Sequence, residues 1–255
     1  MAFSAETCVA THIGDRSEQQ DRVGLFAHPK RPGIMMAALA DGMGGHSGGA
    51  MAAEQVIIRA RQNLESYAPL HETPQELLSS VIDEAHTVIK LTRFTSEKDP
   101  HSTAVTFLLQ QGKAYWAHCG DSRFYYFRGT DTVSRSGDHS LVGELMRKGR
   151  LDEAGALKHP QRNVLLSCLG SEREPCIEYG LAEAPDAGDS FLLCSDGLWA
   201  YFTDFELAST IQAHPPRTAA ECLVRMARER AGGAGDNISL IIVKLVPPAG
   251  GGIAR

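Results

Sequence analysis

The sequence predicts an α+β fold in which helices cover the outer faces of mainly antiparallel sheets. Three observations carry this. Strand-like runs follow one another across tight turns, as hairpins and not as strand–helix–strand units. Helical periodicity is concentrated in two pairs of segments, one in each half of the chain. Some strand runs are apolar throughout, which means burial on both faces.

TCVATHI alternates as a strand, and RVGLF and GIMMAALA follow, the last apolar at nearly every position. In GGAMAAEQVIIRARQNLES, Met51, Val56, Ile57, Ala60 and Leu64 recur at helical spacing. Thr73-Pro74-Gln75-Glu76 is a capping box with proline at the first helical position. Leu77, Leu78, Val81, Ile82, Ala85, Val88 and Ile89 then form the predicted buried stripe. STAVTFLLQ, KAYWAHC and RFYYFRG read as a meander that turns at Gln111-Gly112 and at Asp121. Residues 139–170 are predicted as two short helices joined by loops, interrupting a sheet-rich region, and so as a flap over a site. Strands return at IEYGLAEA and SFLLCSD. A second capping box, Thr203 to Glu206, and the pair Pro215-Pro216 open two further helices, and NISLIIVKLV is the last strand. With neither linker nor repeat, residues 1–246 are expected to form one catalytic domain, and the tail 247–255, PPAGGGIAR, to be disordered.

Composition narrows the function. A length of 255 residues with 43% apolar and 22% charged content is that of a globular protein with a sizeable core. The net charge of -6 excludes a global basic field for nucleic acid. The basic runs MARERA and MRKGR read as solvated helix faces. No apolar stretch is long enough to span a bilayer and no secretory signal is visible, so the expected location is the cytoplasm. Cys8, Cys119, Cys168, Cys176, Cys194 and Cys222 form no CxxC pair and are expected to be buried, reduced thiols.

The chemistry lies in the aspartates. Asp41, Asp121, Asp196 and Asp236 each stand where a strongly apolar run meets glycine or another small residue. Asp21 precedes a further short strand. Carboxylates carried on tight turns at strand ends suit a hard divalent cation, and buried carboxylates gathered together repel unless a cation compensates them. Asp41-Gly42-Met43-Gly44-Gly45-His46 lacks both a GK[ST] triplet and GxGxxG spacing, so it is not a nucleotide loop. Taken alone, Asp41-Gly42 would be an ordinary turn into a helix. Arg16, five residues before Asp21, would on its own be a surface arginine, but beside a metal cluster it could fork onto a phosphate. Arg123 is expected to pair with a nearby carboxylate, and His118 to sit satisfied in a strand. His46 and His139 are candidate acids whose more ordinary role is structural.

In order, GDRSEQQD, ADGMGGHSGG, HSTAV, HCGDSRFYYF, GDHSL, LLCSDGLW and GDNISLIIV resemble the successive signature blocks of the metal-dependent, type 2C serine/threonine protein phosphatases. The likeness runs from about residue 8 to 245 and extends through the flap, where it is to the bacterial members. It implies a four-layer α-β-β-α sandwich: two central, mainly antiparallel sheets flanked by helix pairs, with metals between the sheets at one end. It further implies that Asp41 bridges two Mn²⁺ or Mg²⁺ ions, that Gly42 offers its carbonyl, and that Asp196 and Asp236 complete the first metal's shell. Asp121 with Asp196 would hold a third ion, Asp21 belongs to the same metal set, and Arg16 would take the phosphate. Two positions depart from the pattern. Gln20 stands where the family often has Glu, and Met43 stands where eukaryotic members have a histidine proposed as the leaving-group acid.

The implied activity is hydrolysis of phosphoserine and phosphothreonine in proteins by metal-activated water. The implied partners are phosphorylated proteins and an opposing serine/threonine kinase, and the expected unit is a monomer. A non-catalytic phosphoprotein-binding regulator on the same scaffold and a small-molecule phosphomonoesterase are the alternatives. The first sits poorly with a complete aspartate set, whereas the second would share the same site chemistry.

Overall fold

The computed structural model describes residues 3–44, 48–92 and 99–248. In chain order the first half holds β1 (Ser4–His12), β2 (Arg22–Ala27), β3 (Met35–Ala40), β4 (Gly42–Met43), α1 (Gly48–Ser66) and α2 (Pro74–Thr92). Five strands follow, β5 (His101–Ser102), β6 (Ala104–Gln110), β7 (Lys113–Cys119), β8 (Arg123–Arg128) and β9 (Asp131–Arg135). The flap helices are α3 (Leu141–Arg147) and α4 (Glu153–Lys158). Then come β10 (Glu178–Ala182), β11 (Asp189–Cys194), α5 (Asp196–Trp199), α6 (Asp204–Ala213), α7 (Pro216–Ala231) and β12 (Ile238–Val246).

The strands form two five-stranded sheets in the orders β1-β12-β11-β8-β9 and β10-β7-β6-β3-β2, with every neighbouring pair antiparallel. The core has three parts, and the alternation of side chains along each strand explains them. In β6, Val105, Phe107 and Leu109 face the other sheet, while Ala104 and Leu108 face α1 and α2. In β11 and β12, Phe191, Leu193, Ile241 and Val243 face inward, while Leu192, Cys194, Leu240 and Ile242 pack under α6 and α7. Phe107 and Phe191 meet across the sandwich with ring centroids 4.9 Å apart. The four-layer arrangement is thus the one the resemblance implies.

Both capping boxes form as the sequence predicts. The Thr73 hydroxyl accepts from the Glu76 N–H at 3.2 Å, and the Glu76 carboxylate accepts from the Thr73 N–H at 2.7 Å. Thr203 and Glu206 repeat the exchange. The Gln111-Gly112 turn has positive φ at both residues, 52° and 76°, as a two-residue hairpin of this hand requires.

Several expectations need correction. The predicted meander does not form: β6 and β7 pair as a hairpin in one sheet, but at Asp121 the chain crosses to the other sheet, where β8 pairs with β11 and β9. β9 itself was not expected, because its residues are exposed or half-buried and lack an apolar signal. In α1 the buried stripe is Ala52, Ala53, Val56, Ala60 and Leu64, whereas Met51 and Ile57 are only half-buried. Small alanines, not the larger side chains, let this helix approach the sheet. In α2, His86 is buried and Val88 is not fully so. The six cysteines are free thiols, but only Cys119 and Cys194 are buried, and Cys176 is exposed. His46 and residues 249–255 of the tail lie outside the described residues. Among the described residues no helix is long and apolar enough to cross a membrane.

Candidate active site

Strand direction gathers the aspartates. Arg22 pairs with Ala40, so the start of β2 and the end of β3 lie together, which places Asp21 and Asp41 at one edge. Ala104 pairs with Cys119, bringing the end of β7, and Asp121 after it, to the same side. In the other sheet Cys194 pairs with Leu240 and His12 with Ile238, joining Asp196, Asp236 and the Gly14–Gln20 loop. Because the pairing is antiparallel, segments as far apart as Arg16 and Asp236, 220 residues, share one end of the sandwich.

A cleft of about 500 Å³ opens there, lined by Arg16, Asp41, Gly42, Asp121, Asp196 and Asp236, together with Gln20, Met43, Asn163, Leu165 and Asn237. Larger grooves exist, one of about 900 Å³ between β1 and α7, but convergent buried acids choose the site, not volume. Of the predicted metal and phosphate ligands, Asp21 alone does not line the cleft. It lies behind it, 2% exposed, with its carboxylate accepting from the Ser195 hydroxyl at 2.8 Å.

The electrostatics show how close the acids are. Burial pushes the Asp41 carboxyl well above the usual range, and Asp21, Asp196, Asp121 and Asp236 raise it further. Asp121 is raised by burial and then by Asp196. Asp196 is pushed up to about 6 by burial and Asp236. Asp21 is pushed up to about 7 by burial, against the hydrogen bond from the Ser195 hydroxyl. One oxygen of Asp21 and one of Asp196 are buried with no hydrogen-bond partner. Such a set suits a divalent cation, whose charge compensates the carboxylates and whose coordination uses the bare oxygens. Arg16 stands at the rim, its side chain 59% exposed, donating to Asp236 at 2.6 Å.

The Asp-Gly steps have a packing reason. A methyl on Gly42 would run into the carbonyl of Gly49 at the start of α1, and one on Gly197 would run into the carbonyl of Asn237. Each glycine lets the turn carrying its aspartate lie directly on another backbone segment. Gly42 and Met43 do not turn straight into the helix. They first pair with Ser102 and His101 as a short ribbon.

Two further residues hold the site together, and sequence reasoning missed both. The Thr103 hydroxyl accepts from the Asp41 N–H at 2.9 Å and bonds the Ser122 hydroxyl at 2.7 Å, tying the Asp41 turn to the Asp121 turn. Asn237 donates to the carbonyls of Ile13 and Glu18 at 2.8 and 3.0 Å and accepts from the Gln20 N–H at 2.7 Å, fastening the Arg16 loop beside Asp236. Asn237 directly follows Asp236, so its adjacency was an available signal, whereas Thr103 in HSTAV has no site aspartate beside it in sequence.

Arg123 is the structural partner expected of it. It forks onto Asp138 at 2.8 and 2.7 Å and lies 3.5 Å over the Trp199 ring. His118 donates from Nε2 to the Gly137 carbonyl at 2.8 Å, but its Nδ1 is left without a partner, so it is not fully satisfied. His139 is not on the cleft. Its Nδ1 accepts from the Gly120 N–H at 3.2 Å and its Nε2 faces Glu178 at 3.3 Å. Ligand atoms of His118, His139 and Glu178 lie within 4.8 Å of one another, yet this is a poor cation site. The Gly120 N–H occupies the His139 nitrogen that a ligating histidine would keep protonated.

Residues 9–229 match the family model for Protein phosphatase 2C. The chain is 30% identical over 247 residues to the protein phosphatase PhpP of Streptococcus pneumoniae serotype 2, covering 94% of this chain and 97% of that one. Among solved structures, the S. agalactiae serine/threonine phosphatase superposes with a TM-score of 0.85 at 28% identity, over 94% of this chain and 99% of that chain. The catalytic domain of the serine/threonine phosphatase PstP, in complex with two manganese ions, superposes with a TM-score of 0.79 at 25% identity, over 96% of this chain and 99% of that chain. With acidic turns converging at one end of a double-sheet sandwich and the family match spanning most of its length, the chain belongs to the protein phosphatase 2C family.

Proposed function

We propose that this protein hydrolyses phosphoserine and phosphothreonine in proteins, using divalent metal ions held by the aspartate cleft. The observation that carries the reading is the convergence of Asp41, Asp121, Asp196 and Asp236 from separate strand ends on one cleft, with Arg16 at its rim. The PstP relative with two manganese ions supports metal dependence.

The donor set consists of oxygens, which favours Mg²⁺ or Mn²⁺ over softer ions. Asp41, the Gly42 carbonyl, Asp196 and Asp236 would hold the ions. Asp121 with Asp196 would take a further one, and Asp21 would support the set from behind. Bound there, the ions supply Lewis acidity to water and to the phosphoryl oxygens. The chain's own contribution is orientation and charge. Arg16, exposed and forked, can exchange its bond to Asp236 for two parallel bonds to a phosphoryl group. Thr103 and Asn237 hold the acidic turns and the arginine loop in register, so little reorganisation is needed when substrate arrives. We take the partners to be phosphoproteins and an opposing serine/threonine kinase, the location to be the cytoplasm and the working unit to be one chain. Residues 1–246 then act as one catalytic domain with residues 139–170 as its flap.

The test is turnover of a phosphothreonine peptide with Mn²⁺, Mg²⁺, Ca²⁺ or no metal. Turnover should need Mn²⁺ or Mg²⁺, and Asp41→Asn and Asp196→Asn should abolish it while circular dichroism stays native. Activity surviving dialysis against EDTA would refute the reading. Faster turnover of sugar phosphates than of phosphopeptides would reassign the substrate.

A further inference from the structure

A second cavity, of about 390 Å³, adjoins the metal cleft. The flap helices α3 and α4 form one wall, and α5 with the start of α6 forms the other. Asp121, Asn163 and Asp196 line both spaces, so the two are continuous. Resting on the phosphatase reading above, we propose that this cavity receives an apolar side chain of the substrate protein, next to the phosphoresidue whose phosphate occupies the cleft.

The lining argues for an apolar occupant. Apart from Asp121 and Asp196, which it shares with the metal cleft, and Arg162, its ionic groups are engaged with one another. Arg123 forks onto Asp138, and Arg135 bonds Asp204 at 3.2 Å and Glu153 at 2.9 Å. Arg162 donates to the Leu157 carbonyl at 3.0 Å, and its charge acts on Asp196. A charge entering beside Arg123 or Arg135 would have to break one of their pairs, at a cost an apolar group avoids. Val142, Met146, Leu157, Trp199, Phe202 and Phe205 supply apolar surface. Phe205 is 66% exposed and Leu157 42%, so large apolar side chains stand in water at this cavity. A substrate side chain lodged there would remove that surface from solvent only when the phosphate is in place, which converts apolar burial into selectivity.

The experiment uses the full chain with Mn²⁺ and three sets of phosphothreonine peptides, carrying Leu, Gly or Glu at each position flanking the phosphoresidue. At one position Leu should exceed Gly in kcat/KM by about tenfold or more, with Glu no better than Gly. Ala156→Phe, which fills the cavity, and Phe205→Asp, at an exposed position, should bring the Leu/Gly ratio towards one. The ratio is internal to each preparation, so it is insensitive to differences in metal loading or folded fraction. Equal kcat/KM for Leu and Gly at every position, or a ratio untouched in both variants, would overturn the proposal while leaving the phosphatase reading intact. Absence of turnover of every peptide would instead remove the phosphatase reading and the proposal with it. A dimer in sedimentation that Phe205→Asp dissociates would give the cavity to a second copy and also overturn it.

Discussion

Replacing Thr103 by Val tests whether one buried hydroxyl organises the acidic cleft. Thr103 and Ser122 are 0% and 1% exposed. The Thr103 oxygen takes the Asp41 N–H at 2.9 Å and meets the Ser122 hydroxyl at 2.7 Å. Valine keeps the shape but presents a methyl to both. The Asp41 N–H has no alternative acceptor in these contacts, and a buried donor left bare costs about 1–3 kcal/mol. The Ser122 hydroxyl loses its partner as well, for about 1 kcal/mol more. The expected loss is about 3 kcal/mol, read as a fall of roughly 6–12 °C in Tm for a chain of this size. Ser122→Ala, which leaves the Thr103–Asp41 bond in place, should cost only about 1 kcal/mol. Urea unfolding in EDTA measures both without any contribution from metal binding. The second readout is the Mn²⁺ concentration for half-maximal turnover, which should rise for Thr103→Val because both metal-bearing turns lose their common tie. Stability within about 0.5 kcal/mol of wild type, with an unchanged Mn²⁺ requirement, would refute the reasoning.

Three other outcomes follow from the same geometry. Gly42→Ala drives a methyl onto the Gly49 carbonyl, so it should destabilise by about 1–3 kcal/mol and weaken metal binding, measured by Tm with and without Mn²⁺. Arg123→Met strands the buried Asp138 carboxylate and should cost about 3–5 kcal/mol in urea unfolding, with Arg123→Met/Asp138→Asn recovering part of the loss. In EDTA, stability should fall as pH rises from about 4 towards 7. Asp196 and Asp21 are raised from 3.8 to about 6 and about 7, so across that window the native state holds protons that the unfolded chain has released. Saturating Mn²⁺ should flatten the dependence, and a metal-free Tm that climbs with pH would contradict it.

Much of the fold was legible because its signals are local. Capping boxes at Thr73 and Thr203 need only four residues to be recognised, and both form. β3, β6 and β11 are apolar along most of their length because each lies between a helix layer and the other sheet. β9 was missed because it is an edge strand with neither face buried. The α1 stripe was misjudged because alanine carries little apolar signal, yet it permits the closest approach to the sheet. His118 and His139 illustrate the limit for titratable groups. Stacked 4.7 Å apart, they depend for their roles on hydrogen bonds to Gly137 and Gly120 that no local pattern encodes.

By itself the order of residues determined which side chains carry the chemistry: aspartates beside glycine or small residues, each at the end of a buried strand. It determined this because turn type and strand period are properties of a few neighbouring residues, and a carboxylate is a hard oxygen donor whatever its neighbours. Tertiary structure alone decided that these turns meet, that Asp21 stands behind the cleft and not in it, and that Thr103 and Asn237 bind the turns together. Those facts follow from antiparallel register between distant strands, and register is set by how two sheets bury their shared faces.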